Sequence, residues 1–152
     1  MKNAERVAKR IYLDSNVYIS LVREEIDKAF NLRFKDAELF LSLCRKEEII
    51  LILSYLFFDE IKKVVGLKRK DIIEFFKNYG IKIEIFYSKK DYSTKVSEIY
   101  SNFNLHYPDS LHVAIAIDTD SDLIVSWNKK DFIKTNSLIK CLTPKEFIEE
   151  FY

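Results

Sequence analysis

Three carboxylates stand where apolar runs give way to helical spacing: Asp14 in IYLDSNVYIS, Glu60 in LILSYLFFDEIKKV and Asp109 in YPDSLHVAIA. A carboxylate in such a place is costly unless it is paired, hydrogen-bonded or bound to a ligand. If a fold gathers the three, each like-charged pair about 4 Å apart costs roughly 4 kcal/mol at an effective dielectric near 20. The whole net stability of a domain is only ~5–15 kcal/mol. A gathered cluster must therefore protonate or hold a cation.

Each residue also has a plainer reading. Asp14 directly follows Ile11–Leu13 and precedes Ser15 and Asn16, and any of these side chains can cap the helix that begins there. Glu60 has Leu56 and Phe57 before it and Ile61 and Val64 after it, which puts it on or beside a buried face, where an Arg or Lys from elsewhere would serve as partner. Its neighbour Asp59 has Lys63 four residues on, the spacing of a solvent-facing ion pair. Asp109 opens a helix whose remainder, LHVAIAI, is nearly all apolar, and an acid in a first turn also favours the helix dipole. His112, in that apolar helix, reads as a satisfied core histidine, and His106 as a surface or capping residue. The run Asp118–Asp122 has the acid spacing of a calcium loop, but Leu123 stands where Gly is needed and Lys129 where the closing acid is needed. A helix-ending turn is the expectation there.

The surrounding elements decide whether the acids meet. Ile11–Leu13, Ile49–Leu53 and Leu123–Ser126 are short apolar runs, the pattern of strands covered on both faces of a parallel sheet. Residues 36–46 place Ala37, Leu39, Phe40, Leu43 and Cys44 on one helical stripe; Tyr55–Val65, residues 68–78, Asp91–Phe103 and Tyr107–Ile117 have similar spacing. Ile81–Tyr87 alternates as a half-exposed or edge strand, and Ile139–Leu142 with Pro144–Phe151 adds a last strand and helix. Strand and helix alternate throughout, which predicts a three-layer α/β/α sandwich around a central, mainly parallel sheet. Sites in such sheets form at the carboxyl ends of the strands, where Asp14 falls.

With 152 residues, 48% of them hydrophobic, and only two Gly and two Pro, the chain is expected to form a single domain over residues 1–152. The net charge of +1 leaves attraction to nucleic acid to local groups such as 68–70, 89–90 and 129–130. Cys44 and Cys141 lack metal-site spacing and read as buried thiols in a reducing compartment. The basic opening MKNAERVAKR runs into Ile11 without a long apolar stretch, so neither a signal peptide nor a membrane span is expected, and a cytoplasmic location is.

Taken together, these segments resemble the PIN-domain ribonucleases, which include the VapC-type toxins of toxin–antitoxin systems. IYLDSNVYIS looks like the family's opening strand with its first metal-binding Asp and following Asn, Asp14 and Asn16; LILSYLFFDEI looks like its Ser and Glu followed by an apolar residue, Ser54, Glu60 and Ile61. PDSLHVAIA and DLIVSWNKKDF are similar to its third Asp and its later strand, giving Asp109, Asn128, Asp131 and Phe132. One departure is Lys129, where many members carry a fourth acid.

The resemblance implies a PIN-like, Rossmann-like topology and a metal-dependent endoribonuclease, with Asp14, Glu60 and Asp109 as catalytic metal ligands and Asn16, Ser54, Asn128 and Asp131 in support. Three hard oxygen ligands suit Mg2+ or Mn2+. It further implies an RNA substrate, an antitoxin protein as partner and a homodimer in which the aromatic stretch Tyr55–Phe58 could take part. Trp127 and Tyr55 are candidates for stacking on bases, with core packing as the alternative, and Lys129 and Lys130 for contacts to the RNA backbone. Two other classes compete: an RNA-binding or complex-assembly module that has kept the fold without turnover, and a receiver-like phosphoacceptor domain. The latter would want an acidic pair near the first strand, where only Asp14 stands.

Overall fold

The structure is a computed structural model that describes residues 8–88 and 90–151. Most of the basic opening segment and Lys89 of the 89–90 pair lie outside the described residues, and with them the expectation about a signal peptide.

Five strands form one sheet: β1 (Arg10–Leu13), β2 (Ile50–Ser54), β3 (Lys82–Phe86), β4 (Leu123–Val125) and β5 (Lys140–Leu142). Their order across the sheet is β3-β2-β1-β4-β5, and every pairing is parallel. Alternation along each strand sends side chains to opposite faces. Ile11, Leu13, Leu51, Leu53, Leu123, Val125 and Leu142 enter one core. That core is closed by α1 (Ser15–Val22), α2 (Arg33–Lys46), α3 (Tyr55–Val65), α4 (Arg69–Asn78) and α8 (Pro144–Phe151). Tyr12, Ile52, Ile124 and Cys141 enter the other, beneath α5 (Ser93–Phe103), α6 (Asp109–Asp118) and α7 (Lys129–Phe132). The expected α/β/α sandwich is thus present, with apolar strands because both faces are covered.

Several local expectations need correction. α2 starts at Arg33, and Leu39, placed on its apolar stripe by spacing, is 48% exposed because only Ala37, Phe40, Leu41 and Cys44 face the core. α6 begins at Asp109, with Pro108 at the N-cap, two residues later than the helical spacing that starts at Tyr107. Phe57 and Phe58 are buried in the core, so the Tyr55–Phe58 stretch does not offer them to a second subunit. The Asp118–Asp122 run is a turn: α6 ends at Asp118, and the Asp122 carboxylate accepts the backbone N–H groups of Lys9 and Arg10, each at 2.8 Å. Cys44 and Cys141 are buried free thiols. No helix among the described residues is long and apolar enough to cross a membrane.

Candidate metal centre

The chain builds β1, β2 and β3 outward in one direction and then returns to lay β4 and β5 on the other side of β1. The order therefore reverses between β1 and β4, and the crevice of such a sheet opens at the carboxyl ends of those two strands. Leu13 and Val125 are register partners, and the Asp14 N–H donates to the Val125 carbonyl at 3.0 Å. The next residues, Asp14 and Ser126, consequently fall side by side. The Ser126 hydroxyl donates to Asp14 Oδ2 at 2.6 Å and accepts from the Asn128 backbone N–H at 2.9 Å. Asn16 ties the same turn together, donating from Nδ2 to Ser126 Oγ at 3.1 Å and accepting the Trp127 backbone N–H at 3.2 Å. Asp14 occupies the N-cap position of α1, yet its carboxylate makes no capping bond, which removes the plainer reading of this residue.

Glu60 arrives from the neighbouring strand. β2 passes into α3 without an intervening residue, so the helix begins at the sheet edge. Leu56 and Glu60 are one helical turn apart; Leu56 packs against the second core, and Glu60 is carried to the same side, toward α6. α6 must run opposite to the strands, because the turn that follows it returns to the amino end of β1, where Asp122 N–H bonds the Arg10 carbonyl. Its first turn therefore lies at the carboxyl edge, with Asp109 and His112 three residues apart on one face.

His112 is 3% exposed. Its Nδ1 lies 2.6 Å from the Tyr12 hydroxyl, which is 3.0 Å from Ser54 Oγ. Its Nε2 lies 3.3 Å from Glu60 Oε1. The approach is off the line of a ring N–H, and Oε1, shut away from solvent, has no hydrogen bond. One ligand atom each from Asp14, Glu60 and His112 lies within 4.8 Å of the others, the arrangement of a site that could hold a metal ion.

Asp109 is outside that trio but shares its field. Burial raises its pKa above the usual carboxylate value; His112 opposes this, and Asp131, Asp14 and Glu60 add to it. For His112, burial alone would lower the pKa, but the contact with Glu60 and the charges of Asp14, Glu60 and Asp109 outweigh it and the net shift is upward. Tyr12 is pushed well above the ordinary phenol value, first by burial, and stays neutral. The same crowding of carboxylates that lifts Asp109 therefore also favours positive charge at this point, on the imidazole or on a bound cation. His112 is in the core, as expected, and is also part of the cluster.

These shifts give the sign of one substitution. Burial and three carboxylates disfavour the charge of Asp109 against His112 alone, so in excess chelator near neutral pH Asp109→Asn should melt above the parent protein, by on the order of 1 kcal/mol after screening. Where the cluster binds a metal, the same change should also weaken that binding. A lower melting temperature in paired thermal scans would mark Asp109 as a structural residue.

The remaining sequence candidates surround the trio less closely. Ser54 is fully buried and is linked to the centre through Tyr12. Asn128 caps no backbone group of α7 with its side chain, and Asp131 lies in the first turn of that helix, near enough to raise Asp109. Lys129 is held by Glu146 at 2.5 Å, while Lys130 is exposed. Trp127 donates from Nε1 to Ser20 Oγ at 3.0 Å, and the Arg33 guanidinium sits 5.0 Å from its ring centre, so the indole is tied to α1 and α2. Asp59 is exposed, and the expected pair with Lys63 is not among the ion pairs of the described residues. His106 is exposed beside Tyr100. Ser126 and Tyr12 were missed in the sequence. Ser126 follows its strand as Asp14 follows β1, and Tyr12 supplies the one side-chain hydroxyl within the Ile11–Leu13 run.

The architecture has solved counterparts. A toxin–antitoxin complex from Klebsiella pneumoniae is similar over 88% of this chain and 97% of its own, with a TM-score of 0.56 and 16% sequence identity. The likeness is one of fold. No family model and no curated protein matches the chain.

Proposed function

We propose that this chain is a metal-dependent endoribonuclease of the PIN-like kind, acting as the toxin of a toxin–antitoxin pair. The observation that carries the reading is the convergence of Asp14, Glu60 and His112 within 4.8 Å, with Glu60 Oε1 buried and without a hydrogen bond. An acceptor atom left so costs about 1–3 kcal/mol, a debt that a cation would cancel. The donor set fits a divalent ion: Asp14 and Glu60 offer hard oxygens, and His112 offers a nitrogen if Nδ1 donates to Tyr12 and leaves the Nε2 lone pair free. Asp109 and Asp131 would act through water, and Asn16 and Ser126 would fix the Asp14 carboxylate. Mg2+ or Mn2+ bound there would supply Lewis acidity to a water and to a phosphate oxygen. The fold likeness to a chain of a toxin–antitoxin complex supports the partner half of the reading.

A ribonuclease assay on single-stranded RNA in Mn2+, Mg2+ and excess chelator tests the first half. Cleavage is expected only with metal. Thermal melts on the same samples give a second readout: Mn2+ at 100 times its dissociation constant should stabilise the protein by about 2.7 kcal/mol. No cleavage in any sample, together with RNA binding, would favour the assembly module instead.

A further inference from the structure

Beside the proposed metal centre lies a cleft of about 360 Å3 that the carboxylate chemistry does not use. Its wall is made where α3, α5 and α6 approach one another, and three tyrosines line it: Tyr55, the first residue of α3; Tyr92, just before α5; and Tyr107, just before Pro108 and Asp109. Leu111, one residue before His112, also lines it. Tyr107 is 66% exposed, an aromatic ring standing in solvent at the mouth.

We infer that this cleft receives a nucleobase of the single-stranded RNA whose phosphate the metal centre would engage. The inference rests on the ribonuclease reading. The size is that of the smallest ligand clefts, about 300 Å3 and upward, which suits one base and its sugar better than a folded partner. The ring faces offer stacking that every base can use. The charge balance points to a base rather than the phosphate backbone. Lys90 is the one described cation in the lining, and it is already held by Asp118 at 2.9 Å, with Asp91 beside it. Tyr92 donates to the same Asp118 carboxylate at 2.7 Å, which fixes the ring on one side of the opening. Ser93 and Ser97 supply hydroxyls that can meet a base edge. A base seated there would anchor the strand while its neighbouring phosphate extends over the first turn of α6 toward Asp14 and Glu60.

The test uses adenosine and uridine, which carry no phosphate and so bind without regard to the metal. Saturation-transfer NMR on the chelated protein should show base protons of at least one nucleoside in contact with the parent and with Tyr107→Phe, and lose the signal with Tyr107→Ala. In Mn2+ with single-stranded RNA, Tyr107→Ala should raise KM about tenfold or more while Tyr107→Phe stays near the parent value. Circular dichroism checks that the exposed-site variants fold alike. Equal nucleoside contact and equal KM for all three proteins would overturn the subsite and leave the nuclease reading standing; this is also the result if the cleft instead seats a protein side chain. Nucleoside contact that depends on Tyr107, in a protein that cleaves no RNA, would uphold the subsite while the nuclease reading fails.

Discussion

Replacement of Glu60 by Gln should remove Mn2+-dependent RNA cleavage, by more than about 100-fold, while Asp59→Ala leaves it intact. Loss of a partner one shell removed from a metal already costs about 10–100-fold, and loss of a ligand should exceed that. The two residues are adjacent, so composition and local helix propensity hardly distinguish them. Their surroundings do: Asp59 is exposed and forms no ion pair among the described residues, whereas Glu60 turns Oε1 inward, 3.3 Å from a buried imidazole. Asp59→Ala should also change stability by no more than ~0.5 kcal/mol, as for an ordinary surface position. Comparable losses of cleavage from both variants, measured on the same RNA, would mean that the cluster is not the reacting centre.

His112→Gln separates a ligand from a core residue. Nitrogen donors favour Mn2+ and later transition ions over Mg2+, whereas the carboxylates alone have no such bias. If His112 Nε2 faces the ion, the substitution should weaken Mn2+ binding about 10–100-fold and Mg2+ binding much less, so the preference between the two metals collapses. Electron paramagnetic resonance of bound Mn2+, with Mg2+ as competitor, reads this without any cleavage assay. Were His112 only a satisfied core group, disturbing its bond to Tyr12 would cost about 1–3 kcal/mol of stability and leave both affinities where they were.

Much of this arrangement could be read from residue order. The strands announce themselves as apolar runs because a parallel sheet is covered on both faces, and a polar residue at the end of such a run marks the edge where sites form. Asp14 was found by that rule, and Ser126 satisfies it equally well but offers no charge to draw notice. Helical face separates Asp59, which is exposed, from Glu60, which approaches His112. Other features depend on partners remote in sequence. His112 sits in an almost wholly apolar helix, and only the crossing of α6 over β1 brings Tyr12, 100 residues away, to one nitrogen, and Glu60 from α3 to the other. Leu39 shows the converse limit. Its spacing is that of a core position, but α2 meets α1 and α8 along a narrower stripe than periodicity allows for, and the side chain is left in solvent.

The junctions at the carboxyl edge are short: β2 becomes α3 at once, and β1 reaches α1 through Asp14 alone. Asp14 is also pinned by its backbone bond to β4. Functional groups usually ride on loops that open and close, and such loops come from the least stable part of a molecule. Here the acidic groups are mounted on framework that should resist opening nearly as well as the core does. The centre has no hinge of its own at these two junctions and hence no built-in resting state there. A metal centre so mounted would be controlled by what covers it rather than by any rearrangement within this edge of the sheet.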